Sequence, residues 1–161
     1  MAASLVALIL MGTDLLGYAN QMNRANNQYA KQNYSAAFAE VSGMKIKEED
    51  LMLYEKYHVM AMVSTELEAY ETLMDAEFYD MALDCLIRTI GRAQKYRTDA
   101  EVYGCTQELS NLENEAEAIL GQMFGVSKDR ALELYASKTK EEYSYAIKTI
   151  LKELGMEKVS K

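Results

Sequence analysis

Two stretches of this chain repeat the same order of residue types at an offset of 45 positions. The first stretch covers residues 24–41 and the second covers residues 69–87. Each contains the end of one helix, a polar turn, a tyrosine, and then a small residue that opens a second, apolar helix. The repeat therefore predicts helical hairpins. The aligned pairs are Tyr34 with Tyr79, Ala37 with Ala82, Phe38 with Leu83, and Val41 with Leu86.

The composition restricts the fold to helices. Proline is absent from all 161 residues, and glycine occurs only eight times. The dominant residue types are alanine, leucine, methionine, glutamate and lysine, which favour helix. No stretch alternates between apolar and polar residues for more than a few positions, as a half-buried strand would. The sequence predicts an all-α fold of antiparallel helical hairpins, closed by a C-terminal helical cap.

The turn of the first stretch resembles a known repeat. Residues 29–34 read YAKQNY and are followed by Ala37. This order resembles the tetratricopeptide repeat, in which the first helix ends at a Tyr-x-x-Gly/Asn-Asn/Asp-Tyr turn and a small Ala follows three residues later. The resemblance implies that the Ala allows close helix packing. It also implies that the hairpins stack as a right-handed array, which holds proteins or peptides and has no catalytic activity.

This chain departs from the tetratricopeptide pattern at several points. In the second stretch Met74 replaces the first tyrosine, and Phe78 precedes Tyr79. The Trp and the closing Pro of the family are absent. The offset of 45 residues is also longer than the ~34 residues of a regular tetratricopeptide repeat. The resemblance covers about a quarter of the chain.

The N-terminal segment, residues 1–17, is apolar, and residues 2–13 carry no charge. It is shorter than the ~20 residues that span a membrane. A secretory signal would carry basic residues before the apolar run, but the first basic residue is Arg24. Three interpretations stay open: a truncated membrane anchor, a helix buried in the bundle or in a homodimer, and a signal peptide. Residues 18–155 are expected to form one helical domain, and residues 156–161 a frayed tail.

Local signals predict where several helices begin and end. Acidic residues at positions 48–50 suit the first turn of a long helix that runs to Met74. Thr98 and Thr139 each begin a capping box, and Ser127 is a further candidate N-cap. We expect Thr98 to open a helix with a 3.5-residue apolar seam. The seam consists of Val102, Cys105, Leu109, Leu112, Ala116, Ile119 and Met123.

Several kinds of chemistry are not expected. The net charge of −8, from 25 acidic and 17 basic residues, opposes binding to nucleic acid. His58 is the single histidine, so Glu55 and His58 cannot be one of the two Glu-x-x-His pairs of a di-iron bundle. Zinc spacings and phosphate-binding glycine loops are absent, and we expect no metal, no cofactor and no catalytic residue. Cys85 and Cys105 could form one disulfide or stay reduced.

Tyrosine is the residue type that indicates a binding surface. There are twelve tyrosines, three phenylalanines and no tryptophan. Tyrosine suits helix packing and binding grooves equally, because an apolar ring carries a polar hydroxyl. We therefore consider two roles, packing and a groove that takes a partner peptide or helix. The candidate partner-binding residues are Tyr29, Tyr34, Tyr54, Tyr57 and Tyr70.

These observations favour a non-catalytic helical-repeat scaffold for protein–protein interaction. The layout, an apolar stub before helical hairpins, is similar to the soluble helical tail of bacterial single-span membrane proteins, such as the pseudokinase-like component of type VII secretion. That similarity implies membrane association through residues 2–16, with the extracytoplasmic side slightly favoured. The alternatives are a soluble homo-oligomeric structural protein, for example a homodimer, and a carrier or enzyme with a pocket between helices.

Overall fold

The computed structural model describes residues 17–156, and all regular structure in this range is helical. The all-α prediction is confirmed. The predictions for residues 1–16 and for the tail beyond Met156 lie outside the described residues. The elements are α1 (residues 17–30), α2 (Tyr34–Val41), a 3₁₀ turn (Glu48–Asp50), α3 (Leu51–Asp75), α4 (Tyr79–Lys95), α5 (Arg97–Tyr103), α6 (Thr106–Phe124), α7 (Lys128–Tyr135) and α8 (Lys140–Glu153).

The chain divides into two compact units, a first unit of Met1–Ala61 and a second unit of Met62–Lys161. The boundary falls within α3. The core of the first unit joins α1, α2 and the start of α3 through Met22, Ala25, Ala37, Val41 and Tyr57. In the second unit α4 is the central helix, because α5, α6, α7 and α8 all contact it.

The two aligned stretches have the same backbone at their turns. Gln32 has φ 64° and Glu77 has φ 59°, and these two positions are 45 residues apart. The amide of Asn33 donates to Gln28 O at 3.0 Å, and the amide of Phe78 donates to Leu73 O at 2.9 Å. This hydrogen bond closes a Schellman-type helix end. The following helices begin at Tyr34 and at Tyr79, as the alignment predicts.

A third turn of the same kind separates α5 from α6 and corrects one prediction. Thr98 does not open a long helix, because α5 already begins at Arg97 and ends at Tyr103. Gly104 then adopts φ 66°, a left-handed conformation that glycine tolerates. The amide of Cys105 donates to Ala100 O at 2.9 Å, and α6 begins at Thr106.

The predicted seam of α6 is also corrected. Val102 is exposed on α5, Met123 is exposed on α6, and Ile119 is only partly buried. The buried positions keep the 3.6-residue period of a straight helix, so the apolar face drifts away from a 3.5-residue seam. They are Leu109, Glu113, Ala116, Leu120 and Phe124.

The other helix starts are largely as predicted. Residues 48–50 form a 3₁₀ turn, and α3 follows from Leu51. Ser127 Oγ accepts a hydrogen bond from the Arg130 amide at 3.2 Å. Thr139 Oγ1 accepts from the Glu142 amide, also at 3.2 Å. Both residues are therefore N-caps. No helix within residues 17–156 has the length and apolar character needed to cross a membrane.

The buried alanines generate the first prediction. Ala37 and Ala82 are fully buried in the two cores. Ala37→Leu and Ala82→Leu should each lower the free energy of unfolding by about 1–3 kcal/mol, because the larger side chain overpacks the core. Ala39→Leu is the matched control, since Ala39 lies exposed on the same helix as Ala37. Urea unfolding measures the effect, and equal stability of Ala37→Leu and Ala39→Leu would contradict the packing.

The left-handed residues generate the second prediction. Gln32 and Glu77 are the two non-glycine residues with positive φ in the described part of the chain. A left-handed conformation costs about 1–2 kcal/mol for a residue with a Cβ, and part of this cost is relieved in glycine. Gln32→Gly and Glu77→Gly should therefore raise the midpoint of thermal unfolding. Lys31→Gly, which changes a neighbouring turn residue of normal φ, should lower it or leave it unchanged. A lower midpoint for both Gln32→Gly and Glu77→Gly would contradict the turn geometry.

Candidate binding groove on the central helix

The candidate tyrosines of the first unit pack against each other. The ring centroids of Tyr29 and Tyr34 lie 5.0 Å apart, and those of Tyr29 and Tyr57 lie 5.4 Å apart. Tyr57 is fully buried, and its hydroxyl donates to Asn26 Oδ1 at 2.6 Å. Burial, with a smaller Coulombic contribution from Asp50, raises the pKa of Tyr57 to about 12. These contacts join α1, α2 and α3.

The remaining candidate tyrosines are in different surroundings. Tyr54 is half-buried, and its ring lies 5.5 Å from that of Phe38. Tyr70 is buried in the core of the second unit. The structure thus brings Tyr29, Tyr34 and Tyr57 together and gives the buried members a packing role. That the five tyrosines contact a partner stays a prediction.

The histidine and the two cysteines pack among other side chains of the protein. His58 Nδ1 lies 3.4 Å from Glu55 Oε2, and the His58 ring lies 5.2 Å from that of Phe38. Cys85 and Cys105 are both buried and form no disulfide. Burial, with a smaller effect from Glu66, raises the pKa of the Cys85 thiol to about 11. Within residues 17–156, no three His, Cys, Asp or Glu side chains converge as metal ligands.

The central helix of the second unit leaves one face accessible. Most of α4 is buried, including Leu83, Leu86, Ile87 and Ile90. Five of the accessible positions recur at steps of three and four residues, so they form one stripe along the helix. We call this set the α4 stripe: Met81, Asp84, Arg88, Arg92 and Lys95.

Ion pairs hold the two arginines of the α4 stripe in place. Glu66 Oε1 lies 3.3 Å from Arg88 Nε and 2.9 Å from Arg92 Nη2. Arg92 also donates to the carbonyl oxygen of Met62 at 2.7 Å. Arg88 Nη1 lies 3.7 Å from Asp84 Oδ2. One carboxylate of α3 therefore pairs with both guanidinium groups.

A hydrogen bond between α8 and α4 crosses the middle of the stripe. The Tyr143 hydroxyl donates to Asp84 Oδ1. Burial, followed by the hydrogen bond to Asp84, raises the pKa of Tyr143. The hydroxyl therefore stays protonated near neutral pH, and Asp84 accepts its hydrogen bond while forming a longer ion pair with Arg88.

A cavity of about 480 Å³ lies over the basic half of the α4 stripe. We call it the basic pocket. Its lining includes five cationic side chains and one carboxylate, Asp84. Its other walls are Tyr96, which follows α4, and Tyr135, Ser137 and Thr139 around the loop from α7 to α8. The five cations are Arg88, Arg92, Lys95, Lys138 and Lys140.

Three of these cations have no carboxylate partner. Within residues 17–156, no carboxylate oxygen lies within 4.0 Å of the amine of Lys95, Lys138 or Lys140. Lys95 lies 5.2 Å from the centroid of the Tyr96 ring. The chain as a whole carries a net charge of −8. The basic pocket is therefore a local excess of positive charge on an acidic protein.

Two further cavities lie beyond the basic pocket, toward the start of α4. One, of about 290 Å³, shares Asp84 and Tyr143 with the basic pocket and also contacts Met81. The other, of about 500 Å³, shares Asp80 and Lys148 with the second cavity. Each cavity shares two wall residues with the next, and we call the three together the groove between α4 and α8. The far end is lined by Glu77, Phe78, Tyr79, Leu151 and Met156.

Gly91 positions one wall of the basic pocket. A Cβ atom at Gly91 would overlap the ring of Tyr135. The absence of a side chain thus allows α7 to bring Tyr135 directly onto α4. Gly91 therefore serves close packing in the middle of the helix.

The α4 stripe is not among the features predicted from the sequence. The spacing of Asp84, Arg88, Arg92 and Lys95 is readable in the sequence, at steps of four, four and three. Such a pattern is typical of any solvated helix surface. Only the burial of the rest of α4 shows that this stripe is the accessible face of a central helix.

Comparison with protein-family models, with curated proteins and with solved structures gave no match. The chain is therefore described by its class, an all-α protein.

The contact of Gly91 with Tyr135 generates the third prediction. Gly91→Ala should lower the free energy of unfolding by about 1–3 kcal/mol, because the new methyl group displaces the Tyr135 ring. Gly121→Ala is the matched control, since a Cβ at that helical glycine meets nothing within 4 Å. Gly121→Ala should raise the stability by about 0.5–1 kcal/mol, because alanine is the better helix former.

A double-mutant cycle tests the same contact. In the background of Tyr135→Ala, Gly91→Ala should lose its penalty, because the overlapping ring is absent. Chemical unfolding of the four proteins measures the coupling. If Gly91→Ala stabilises the parent chain as Gly121→Ala does, the close approach of Tyr135 is wrong.

Proposed function

We propose that this chain is a non-catalytic helical-repeat scaffold for protein–protein interaction, and that its second unit binds a segment of a partner in the groove between α4 and α8. The shared turn geometry at an offset of 45 residues supports a tetratricopeptide-like arrangement of its hairpins. In this proposal residues 2–16 attach the scaffold to a membrane.

The observation that carries the proposal is the α4 stripe. The central helix buries most of its residues, and the stripe that it leaves accessible lines two adjoining cavities, the second of which adjoins a third. From Met81 to Lys95 the stripe runs about 21 Å at ~1.5 Å per residue. This length matches about six residues of an extended peptide. The groove thus has the dimensions of a peptide-binding site.

The charges of the groove give a direction to the bound segment. The end at Lys95 is basic, whereas the end at Glu77 and Asp80 is acidic. The acidic end also exposes two large apolar side chains, with 45% of Phe78 and 52% of Met81 accessible. Complementary charges set orientation and register in recognition. We expect a partner segment that is acidic at one end, and apolar and basic at the other.

The chemistry of the groove favours binding over catalysis. The buried hydroxyl of Tyr143 donates to Asp84, and burial raises its pKa. A phenol with a raised pKa is a poor general base at neutral pH. Arg88 and Arg92 are held by Glu66, which suits a fixed binding surface.

Selection of peptides tests the proposal. A random peptide library is selected on the full chain, and the affinity of the selected peptides is measured by fluorescence anisotropy. Met81→Glu should weaken the binding of these peptides by about tenfold or more, because it replaces an apolar contact with a charged side chain that must lose water when the apolar part of the segment binds. Val102→Glu is the matched control, since Val102 is an equally exposed apolar residue on α5, outside the groove.

The outcome is decided by the difference between the two variants. Circular dichroism first confirms that both variants are folded. Peptides that bind the parent chain and Val102→Glu alike, but bind Met81→Glu weakly, support the groove. Peptides that are indifferent to Met81→Glu, or a library that yields no binder, contradict it.

A further inference from the structure

The basic pocket has features that a peptide-binding groove alone does not explain. Three lysines line one concavity, and no carboxylate of the described chain pairs with Lys95, Lys138 or Lys140. Like charges that converge on a cavity repel each other, and an anion bound between them relieves the repulsion. The protein has 25 acidic residues that could have served as partners. We infer that the basic pocket binds a phosphate monoester.

The charge balance points to a phosphate group. Arg88 and Arg92 are neutralised by Glu66 and Asp84, so the uncompensated charge comes from the three lysines. A carboxylate contributes one negative charge, whereas a phosphate monoester carries about −1.5 to −2 at pH 7 and has three strong acceptor oxygens. Lysine binds phosphate well as a point charge, and its flexible stem lets three amines reach one group.

The shape of the pocket indicates an ester with a body attached. A volume of about 480 Å³ falls in the range of small-molecule sites and exceeds what a bare ion needs. Tyr96 and Tyr135 supply aromatic surface on its walls. The Tyr143 hydroxyl is already engaged by Asp84. The phosphate therefore lies among the lysines, and the body of the ester lies against the tyrosine rings.

The α7–α8 loop completes the site. Lys138 and Lys140 flank Thr139, the N-cap of α8, and both are exposed. Negative charge is favoured near a helix N-terminus. The first turn of α8 already carries the carboxylates of Glu141 and Glu142, so the two lysines, and not the helix dipole, supply the attraction for an anion here. Lys95 reaches the same cavity from the end of α4.

Calorimetric titration of phenyl phosphate into the full chain tests the inference. Phenyl phosphate should bind more tightly than inorganic phosphate, which lacks the ring, and more tightly than phenyl sulfate, which has the same shape but a single negative charge. The affinity should fall as the salt concentration rises. No binding of phenyl phosphate, or equal binding of phenyl sulfate, would overturn the inference.

Substitutions of the lysines test whether phenyl phosphate binds in the basic pocket. The binding of phenyl phosphate should be weaker in the double variant Lys138→Gln/Lys140→Gln and in the single variant Lys95→Gln. The double variant should lose about tenfold or more in affinity. Lys152→Gln is the matched control, because Lys152 is an exposed lysine of α8 outside the basic pocket. An equal loss of affinity in Lys152→Gln would show only general attraction to positive charge. That result, or no loss of affinity in the pocket variants, would overturn the inference that phenyl phosphate binds in the basic pocket.

Thermal unfolding separates a binding role from a structural role. Without ligand, Lys138→Gln/Lys140→Gln should unfold at the same temperature as the parent chain or higher, because like charges are removed. With phenyl phosphate, the parent chain should gain stability by linkage and the double variant should not. A double variant that is less stable without ligand would mean that the lysines serve the fold, and the inference would be wrong.

Two sources could supply the ester, and two further titrations distinguish them. A phosphotyrosine peptide that binds more tightly than phenyl phosphate places the phosphate on a partner protein. A nucleoside monophosphate that binds more tightly places it on a free small molecule.

The inference stands apart from the peptide groove: if peptides sensitive to Met81→Glu are found but phenyl phosphate does not bind, the proposed function holds and this inference falls.

Discussion

The second unit depends on the burial of α4 from several sides at once. Four helices contact α4, and residues such as Leu83, Leu86 and Ile90 are fully buried beneath them. Charged side chains cannot enter such a core without partners. The face that carries Asp84, Arg88 and Lys95 must therefore stay open. The groove is the direct consequence, because the neighbouring helices pack beside this face and leave its floor accessible.

Two contacts fix the walls of the groove at the basic end. Gly91 lets α7 bring Tyr135 onto α4. On α6, the buried carboxylate of Glu113 lies 2.8 Å from Arg97 Nη2 and 2.9 Å from Lys128 Nζ. A buried carboxylate requires such partners, so this triad ties α5, α6 and the start of α7 together. The loop after α7 carries Lys138, and α8 begins with Lys140 directly after it, so both lysines follow a helix that this triad joins to α5 and α6.

The sequence predicts those features that depend on local chemistry. The helix starts at Tyr34 and Tyr79 follow from a repeated turn, and the Thr139 cap follows from the hydrogen bond of its own side chain. The features that were missed depend on tertiary contacts or on competing local signals. Thr98 has the residues of a capping box, but Gly104 ends that helix a few residues later. The tyrosines of the first unit suited packing and binding alike, and only the fold shows that Tyr57 is buried.

The ion pairs of the second unit separate residues that serve the fold from those that do not. Glu66 and Glu113 each bind two cations and join different helices, so these charges contribute to the arrangement of the unit. Three lysines form no ion pair within the described part of the chain, yet they line one cavity: Lys95, Lys138 and Lys140. Solubility does not explain them, because positive charge reduces the net charge of an acidic protein. Stability does not explain them, because converging like charges repel. The inferred anionic ligand accounts for both their position and their lack of carboxylate partners.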